Sequence, residues 1–250
     1  MPTLALIHTV ASLVPVFDRL TSELLPDVDT FNIVDESLLR TTVREGRLTP
    51  TTARRLAAYV ASAEAAGADA VLVTCSSVGA AVEATRPFAS VPLLRIDEAM
   101  VDEAVAIARR GDGRIGVLAT LRSTLEPTAD LVRRRAAEPA SDGVTPDIRV
   151  TARVCEGAFD ALKRGDGATH DRLVVECLAA VAADADVVLL AQASMARVVD
   201  ALPPGSVPVP VLSSPRLAVE RAAETMRGLG ESGPGDEARL PASAAMEAGS

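Results

Sequence analysis

The chain has 250 residues, 48% of them apolar, and a net charge of −9, with one Tyr, four Phe and no Trp. That length holds one large domain or two small ones around a core of Ala, Val and Leu. The acidity and the lack of rings exclude nucleic acid, which needs a basic footprint and stacking platforms, and an anionic membrane surface.

Three widely spaced cysteines (Cys75, Cys155, Cys177) and two histidines give neither a disulfide framework nor a zinc-type spacing. The one lysine, Lys163, lies in the polar stretch KRGDG, no GxGxxG follows a strand and opens a helix, and there is no P-loop. Chemistry without metal or cofactor is therefore expected. The N-terminus MPTLALIHTVASLVP has no basic leader, and no apolar run reaches the ~18 residues of a membrane span, so a soluble cytoplasmic protein is expected.

In chain order, LALIHTVASLVP from Leu4 reads as a strand followed by Thr9 and Ser12. FNIVDESLL, ending at Leu39, carries Asp35 and Glu36 at a strand end. Residues 50–67 recur at helical spacing, with Thr49 as N-cap and Pro50 at the first position. AVLVTCSSVGAAVE (70–83) is a strand that passes through Cys75 into small, helix-tolerant residues. VPLLRIDEAMVDEAV adds a fourth strand and helix, with Arg95, Asp97 and Glu98 expected in a surface ion-pair network.

RRGDGR (109–114) reads as a joint, after which the pattern starts again. IGVLATLRSTLEP matches the first segment, pairing Thr9 and Ser12 with Thr120 and Ser123. EPASDGVTPD (138–147) reads as a loop. VTARVCEGAF, ending at Phe159, sets Cys155 against Asp35 and Glu156 against Glu36. A second amphipathic helix (169–184) places Cys177 in core packing and His170 in solvent. VVLLAQASMARVVDA aligns without a gap on the Cys75 segment, putting Gln192 opposite Cys75 and Ser194 opposite Ser77. VPVPVLSSPRLAVERA answers the fourth segment, and the Gly, Pro and Ser-rich tail (229–250) is expected to be disordered.

Strands alternating with helices imply right-handed crossovers and parallel sheets. The expected fold is α/β: two pseudo-symmetric, doubly wound, flavodoxin-like lobes with the active site between them. The first lobe comprises residues 1–97 and about 208–228, the second 98–207. Ligands of such sheets collect at the carboxyl ends of the strands, which is where Cys75 stands. There a helix start and free backbone amides favour a thiolate over the ordinary thiol pKa of about 8.5.

The doubled architecture, VTCSS after the third strand, VLAT with ST opening the second repeat and LxxxxM in the mirror loop together resemble the aspartate/glutamate/hydantoin racemase superfamily, over about residues 4–225. The resemblance implies a cofactor-independent enzyme with one cysteine per lobe on opposite faces of the substrate α-carbon, and a small carboxylate held by amides and hydroxyls. Cys75 matches the first cysteine. At the second, the family's Gly-Cys is matched by Ala191-Gln192, and a carboxamide does not titrate near pH 7.

Three alternatives follow. In the first, Cys75 acts alone, as in maleate-isomerase-like or arylmalonate-decarboxylase-like relatives, with Gln192 orienting the substrate. In the second, Cys155 or Glu156 supplies the missing base. In the third, the cleft binds a small acid without transforming it. The expected binding residues are His8, Thr9, Ser12, Ser76, Ser77, Thr120, Ser123, Thr124, Ala193 and Ser194. An isomerase or racemase is the leading reading and a malonate-type decarboxylase the next; a homo-oligomer is compatible with either.

Overall fold

A computed structural model describes residues 1–139, 147–203 and 205–231. Most of the loop expected at 138–147 and of the tail expected from 229 lies outside them. The first half runs β1 (Thr3–His8), α1 (Val14–Leu24), β2 (Asp29–Val34), α2 (Glu36–Glu45), α3 (Pro50–Ala65), β3 (Ala70–Val73), α4 (Gly79–Thr85), β4 (Leu93–Arg95) and α5 (Glu98–Ala108). The second repeats it as β5 (Arg114–Ala119), α6 (Arg122–Ala137), β6 (Arg149–Val154), α7 (Ala158–Lys163), α8 (Gly167–Ala182), β7 (Val187–Leu190), α9 (Ala196–Asp200), β8 (Val211–Ser213) and α10 (Ser214–Glu231). The last helix thus continues past the point where the tail was expected to begin.

Local chemistry sets these boundaries. Thr49 Oγ1 accepts from the Thr52 amide at 3.1 Å ahead of Pro50, and Asp35 and Asp166 cap α2 and α8 in the same way. Gly46 ends α2 in the left-handed region that glycine adopts without strain.

All strands are parallel, ordered β2-β1-β3-β4 in one sheet and β6-β5-β7-β8 in the other. The registers also match: β1 meets β2 from Thr3 and Asp29, and β5 meets β6 from Arg114 and Arg149. β3 enters at Leu4 and Ala70, and β7 at Ile115 and Val187. Carried along the chain, these registers set Thr9 against Thr120, Asp35 against Cys155 and Cys75 against Gln192.

Alternation along the strands sends Leu4 and Leu6 to one face and Ala5 and Ile7 to the other. The first sheet is covered by α3 and α4 on one side and by α1 and α10 on the other; the second lies between α5 with α6 and α8 with α9. Each fully buried Leu or Val contributes about 1.5–3 kcal/mol relative to exposure, so these four clusters supply the main driving force for folding.

The helices after the two fourth strands change lobes. α5 follows β4 but packs on the second sheet, and α10 follows β8 but packs on the first. β8 itself pairs with β7. Of the residues from about 208 that were expected in the first lobe, α10 packs there, while β8 stays with the second sheet. Among the described residues, no helix is long and apolar enough to cross a membrane.

Candidate active site

The carboxyl ends of both sheets open into one cavity of about 170 Å³. From the first lobe come Thr9, Val10, Ser12 and Leu13 after β1, Thr74 to Ser77 after β3, and Ile96 after β4. From the second come Leu121 and Thr124 after β5, Ala191 to Ser194 after β7, and Ser214 after β8. Two helices that follow the edge strands add Leu39 from α2 and Phe159 and Leu162 from α7. Buried apolar strands give way to small polar residues where the sheets end, and those residues face each other because the lobes do.

Cys75 is half-buried, and its extended backbone begins a single 3-10 turn, Ser76–Val78. Burial pushes its thiol pKa up. The Thr9 and Ser77 hydroxyls and the amides of Ser77 and Val78 pull the other way, but the net shift is upward. This corrects the expected thiolate: α4 is too short for a strong dipole, and the sulfur is taken out of water. At rest it carries its proton. The neighbouring hydroxyls join the lobes, with Ser76 Oγ donating to the Ala191 carbonyl at 3.0 Å and Ser77 Oγ sharing a 3.0 Å hydrogen bond with Thr124 Oγ1.

Gln192 stands in the mirror position, with a similar extended backbone beginning the turn Ala193–Met195. Its Oε1 accepts from both the backbone amide and the hydroxyl of Thr120, the latter at 2.8 Å. An amide N–H can only donate, so the atom facing Thr120 is oxygen, and Nε2 is left as a donor without a partner among the described residues. Thr120 is therefore an orienter of Gln192 and does not line the cavity itself.

His8 was expected to touch substrate, but it lies fully buried outside the lining. Asn32 Nδ2 donates to Asp18 at 3.1 Å, which turns Asn32 Oδ1 toward His8 Nε2 at 2.8 Å. His8 Nε2–H then donates, and Nδ1 accepts from Thr74 Oγ1 at 2.8 Å, nearer to that hydroxyl than the Ile7 carbonyl at 3.2 Å. The chain Asp18–Asn32–His8–Thr74 ties the ends of β1 and β3 together behind Thr9 and Cys75. At the equivalent positions of the second lobe stand Ala129, Ala152, Ala119 and Ala191. Cys75 has a polar support; Gln192 has an apolar one.

Burial is the main cause that lowers the His8 pKa from its ordinary 6.5, against weaker upward pulls from Asn32 and Asp18. The free group binds a proton before the buried one does, so stability is full above pH 6.5 and declines as pH falls through the lowered value. Thermal unfolding between pH 7 and 5 is expected to show this decline in the wild type and lose most of it in His8→Gln.

Other expectations are corrected. Ser123 lines a neighbouring cleft, with Ser77, Arg95 and Arg134, and its buried Oγ has no hydrogen-bond partner among the described residues. Cys155 is buried in the core of the second lobe, where a hydrogen bond to Cys177, together with burial, holds it protonated; it cannot supply the second base from there. Glu156 is exposed, and Glu36 begins α2, its Oε1 accepting from the Ala11 amide at 3.1 Å. His170, expected in solvent, is buried against Asp171 and Arg197. Arg95, Asp97 and Glu98 are also buried, between the lobes, not on the surface.

The cavity gathers Thr9, Ser12, Cys75, Ser76, Ser77, Thr124, Gln192, Ala193 and Ser194 from the expected set. Sequence reasoning missed the apolar wall of Leu39, Leu121, Phe159 and Leu162. The matching of Leu39 with Phe159 in the repeat was the signal that could have found two of them.

A family model described as Asp/Glu/Hydantoin racemase matches residues 6–222. Among solved structures, the chain is similar to allantoin racemase from Klebsiella pneumoniae, with TM-score 0.64 and 17% identity over 92% of this chain and 89% of that one. It is also similar to glutamate racemase isoform RacE1 from Bacillus anthracis (TM-score 0.65, 15% identity, 92% and 83%). A third similar structure is allantoin racemase from Pseudomonas fluorescens (TM-score 0.57, 19% identity, 91% and 92%). At these identities the likeness is one of fold. No curated protein sequence matches the chain.

Proposed function

Because the chain belongs to the Asp/Glu/hydantoin racemase family, we propose that it is a cofactor-independent isomerase moving a proton at the carbon beside a small acid's carboxylate, with Cys75 as its single acid/base. The observation that carries this is that Cys75 is the one titratable side chain among the described residues of the lining. Gln192, in the place where a second cysteine would stand, holds the substrate.

Because the resting sulfur is protonated, water first takes the Cys75 proton; the thiolate so formed takes the α-proton, and the electron pair left on carbon spreads into the carboxylate. Gln192 Nε2 and the free hydroxyls stabilise that charge as preorganised donors in a water-poor cavity. The thiol then returns a proton to the same face: at the same carbon this only exchanges the α-proton with solvent, and at a conjugated carbon it isomerises the acid. Inversion would need a second titratable acid on the other face, and the described residues of the lining offer none.

A second reading, decarboxylation, is favoured by the raised pKa of Cys75. The C–C electron pair stays on the α-carbon as carbon dioxide leaves, the thiol gives that carbon its proton, and water reprotonates the sulfur. Incubating amino acids, hydantoins and malonates in deuterium oxide separates the two by NMR. Exchange without inversion supports the isomerase, carbon dioxide release supports the lyase, and neither leaves only a binding protein.

Gln192→Ala removes a donor to a charged group. It is expected to lower kcat about 10²-fold, with KM rising less, in steady-state assays on whichever substrate exchanges.

A further inference from the structure

We infer that the outer face of α3 and α4 docks a second copy of this chain, in an antiparallel twofold pairing that seats Phe88 of each copy in the groove of the other. The inference is independent of the chemistry of Cys75. Phe88 is 85% exposed, more than any other large apolar side chain among the described residues. It ends the turn Arg86–Phe88 that follows α4, beside a groove of about 340 Å³ between α3 and α4.

The ring stands on a fixed support. Arg86 Nε donates to the Leu93 carbonyl at 2.9 Å and a terminal nitrogen to Glu98 at 2.8 Å, Pro87 stiffens the backbone, and the Ser90 amide donates to Glu64 Oε1 at 2.6 Å. A preorganised apolar anchor loses little freedom when it docks. The groove beside it is bare: Ala53, Ala57 and Ala61 from α3 and Ala84 from α4 leave space for a ring and let a second helix come close. Ala61 and Ala84 are exposed, where the outward face of a surface helix is ordinarily polar.

Charge decides which partner fits. α3 buries Leu56, Val60 and Ala63 and turns Arg54, Ala57, Ala61 and Glu64 to the groove. Arg54 and Glu64 lie about 15 Å apart along the helix. Neither is in an ion pair among the described residues: Arg54 reaches the Thr51 hydroxyl at 3.3 Å, and Glu64 holds the Ser90 amide. Antiparallel pairing of two α3 helices brings Arg54 of each copy to Glu64 of the other, whereas parallel pairing sets like charges together. Phe88 stands at the Glu64 end, so the same pairing carries each ring to the Arg54 end of the facing groove, beside Ala53 and Ala57, where a guanidinium can cover it. Ring and acid at one end, hollow and cation at the other, make the face complementary to itself, as a twofold interface requires.

Sedimentation velocity of the full-length chain tests this. The wild type is expected to pass from one chain to two between about 1 µM and about 200 µM. Phe88→Asp, and separately Ala61→Glu, which fills the groove from its exposed wall, are each expected to raise the Kd at least ~100-fold. Both positions are exposed, so both variants are expected to unfold as the wild type does. Arg54→Glu should weaken association ~10-fold, and Arg54→Glu/Glu64→Arg should restore it, which a merely structural role of either residue would not do; this exchange decides the matter even if the other variants do not fold. A wild type that remains a single chain at about 200 µM overturns the inference. So does a dimer that keeps its Kd in Phe88→Asp and Ala61→Glu, because another face then holds it, and so does an exchange that restores nothing.

Discussion

Cys75→Ala is expected to lower the rate of α-proton exchange, or of carbon dioxide release, by about 10²–10⁴-fold, the range ordinarily supplied by one general acid or base. Cys75→Ser should be nearly as slow. A serine hydroxyl fits the space and keeps the Thr9 contact, but it does not ionise in a useful range. The variants are expected to unfold cooperatively near the wild-type temperature, because position 75 is only half-buried and the Thr9 hydroxyl that Cys75→Ala releases lines the cavity. Cys177→Ala makes the opposite control: it empties core space in the second lobe, so it should cost stability and spare the chemistry.

The pH profile separates the roles. A rate that rises with pH through the raised thiol pKa identifies sulfur as base, and one that falls there identifies it as acid. A Cys75→Ala enzyme retaining wild-type turnover would end the mechanism.

Arg95→Met is expected to destabilise the fold by about 3–5 kcal/mol, the cost of stranding one partner of a buried ion pair. Arg95 is 3% exposed and Asp97 0%. The guanidinium donates Nε and one terminal nitrogen to Asp97 at 2.9 and 2.8 Å and its other terminal nitrogen to Glu83. Both acids also receive bonds from α6 in the other lobe: Thr128 donates to Asp97 at 3.1 Å and Arg134 to Glu83 at 2.7 Å. The network therefore ties the lobes together and fixes how wide the cavity between them is.

Natural domains are stable by only about 5–15 kcal/mol, so this single loss should lower the urea midpoint visibly. The double variant Arg95→Met/Asp97→Leu should recover much of it, since replacing both charges leaves none unpaired. Gly79 belongs to the same device. A Cβ there would overlap the Arg95 guanidinium, which reaches Asp97 and Glu83 because position 79 is bare. If Arg95→Met unfolds like the wild type, the network is not what holds the lobes. Nearby, burial pushes the Glu98 pKa up, but the Arg86 hydrogen bonds and charge outweigh it and the net shift is down. That contribution is present above the ordinary 4.5 and is lost as pH falls through the lowered value.

The repeat was readable because a duplicated chain keeps the same apolar run, the same strand-end hydroxyls and the same spacing in each half. Thr9 with Thr120 and Cys75 with Gln192 were paired from sequence, and the strand registers carry the same pairing. The Arg95 cluster was misjudged for an equally physical reason. Three charges within four residues after a strand look solvated when α6, which buries them, lies beyond the joint between the halves. His8 was misassigned because a histidine at a strand end reads the same whether it faces a ligand or the back of the sheet. Asn32 and Asp18, which turn it inward, sit on other elements.

Strand and helix periods, caps and the duplication are local or self-referential, so the sequence by itself determined the α/β lobes, their order and the placing of Cys75 at a strand end. Only the tertiary structure decided that the sulfur is protonated at rest, that Cys155 is out of reach and that Leu39 and Phe159 share a wall. Those properties depend on which distant surfaces exclude water from a group, and exclusion of water is a matter of packing between segments.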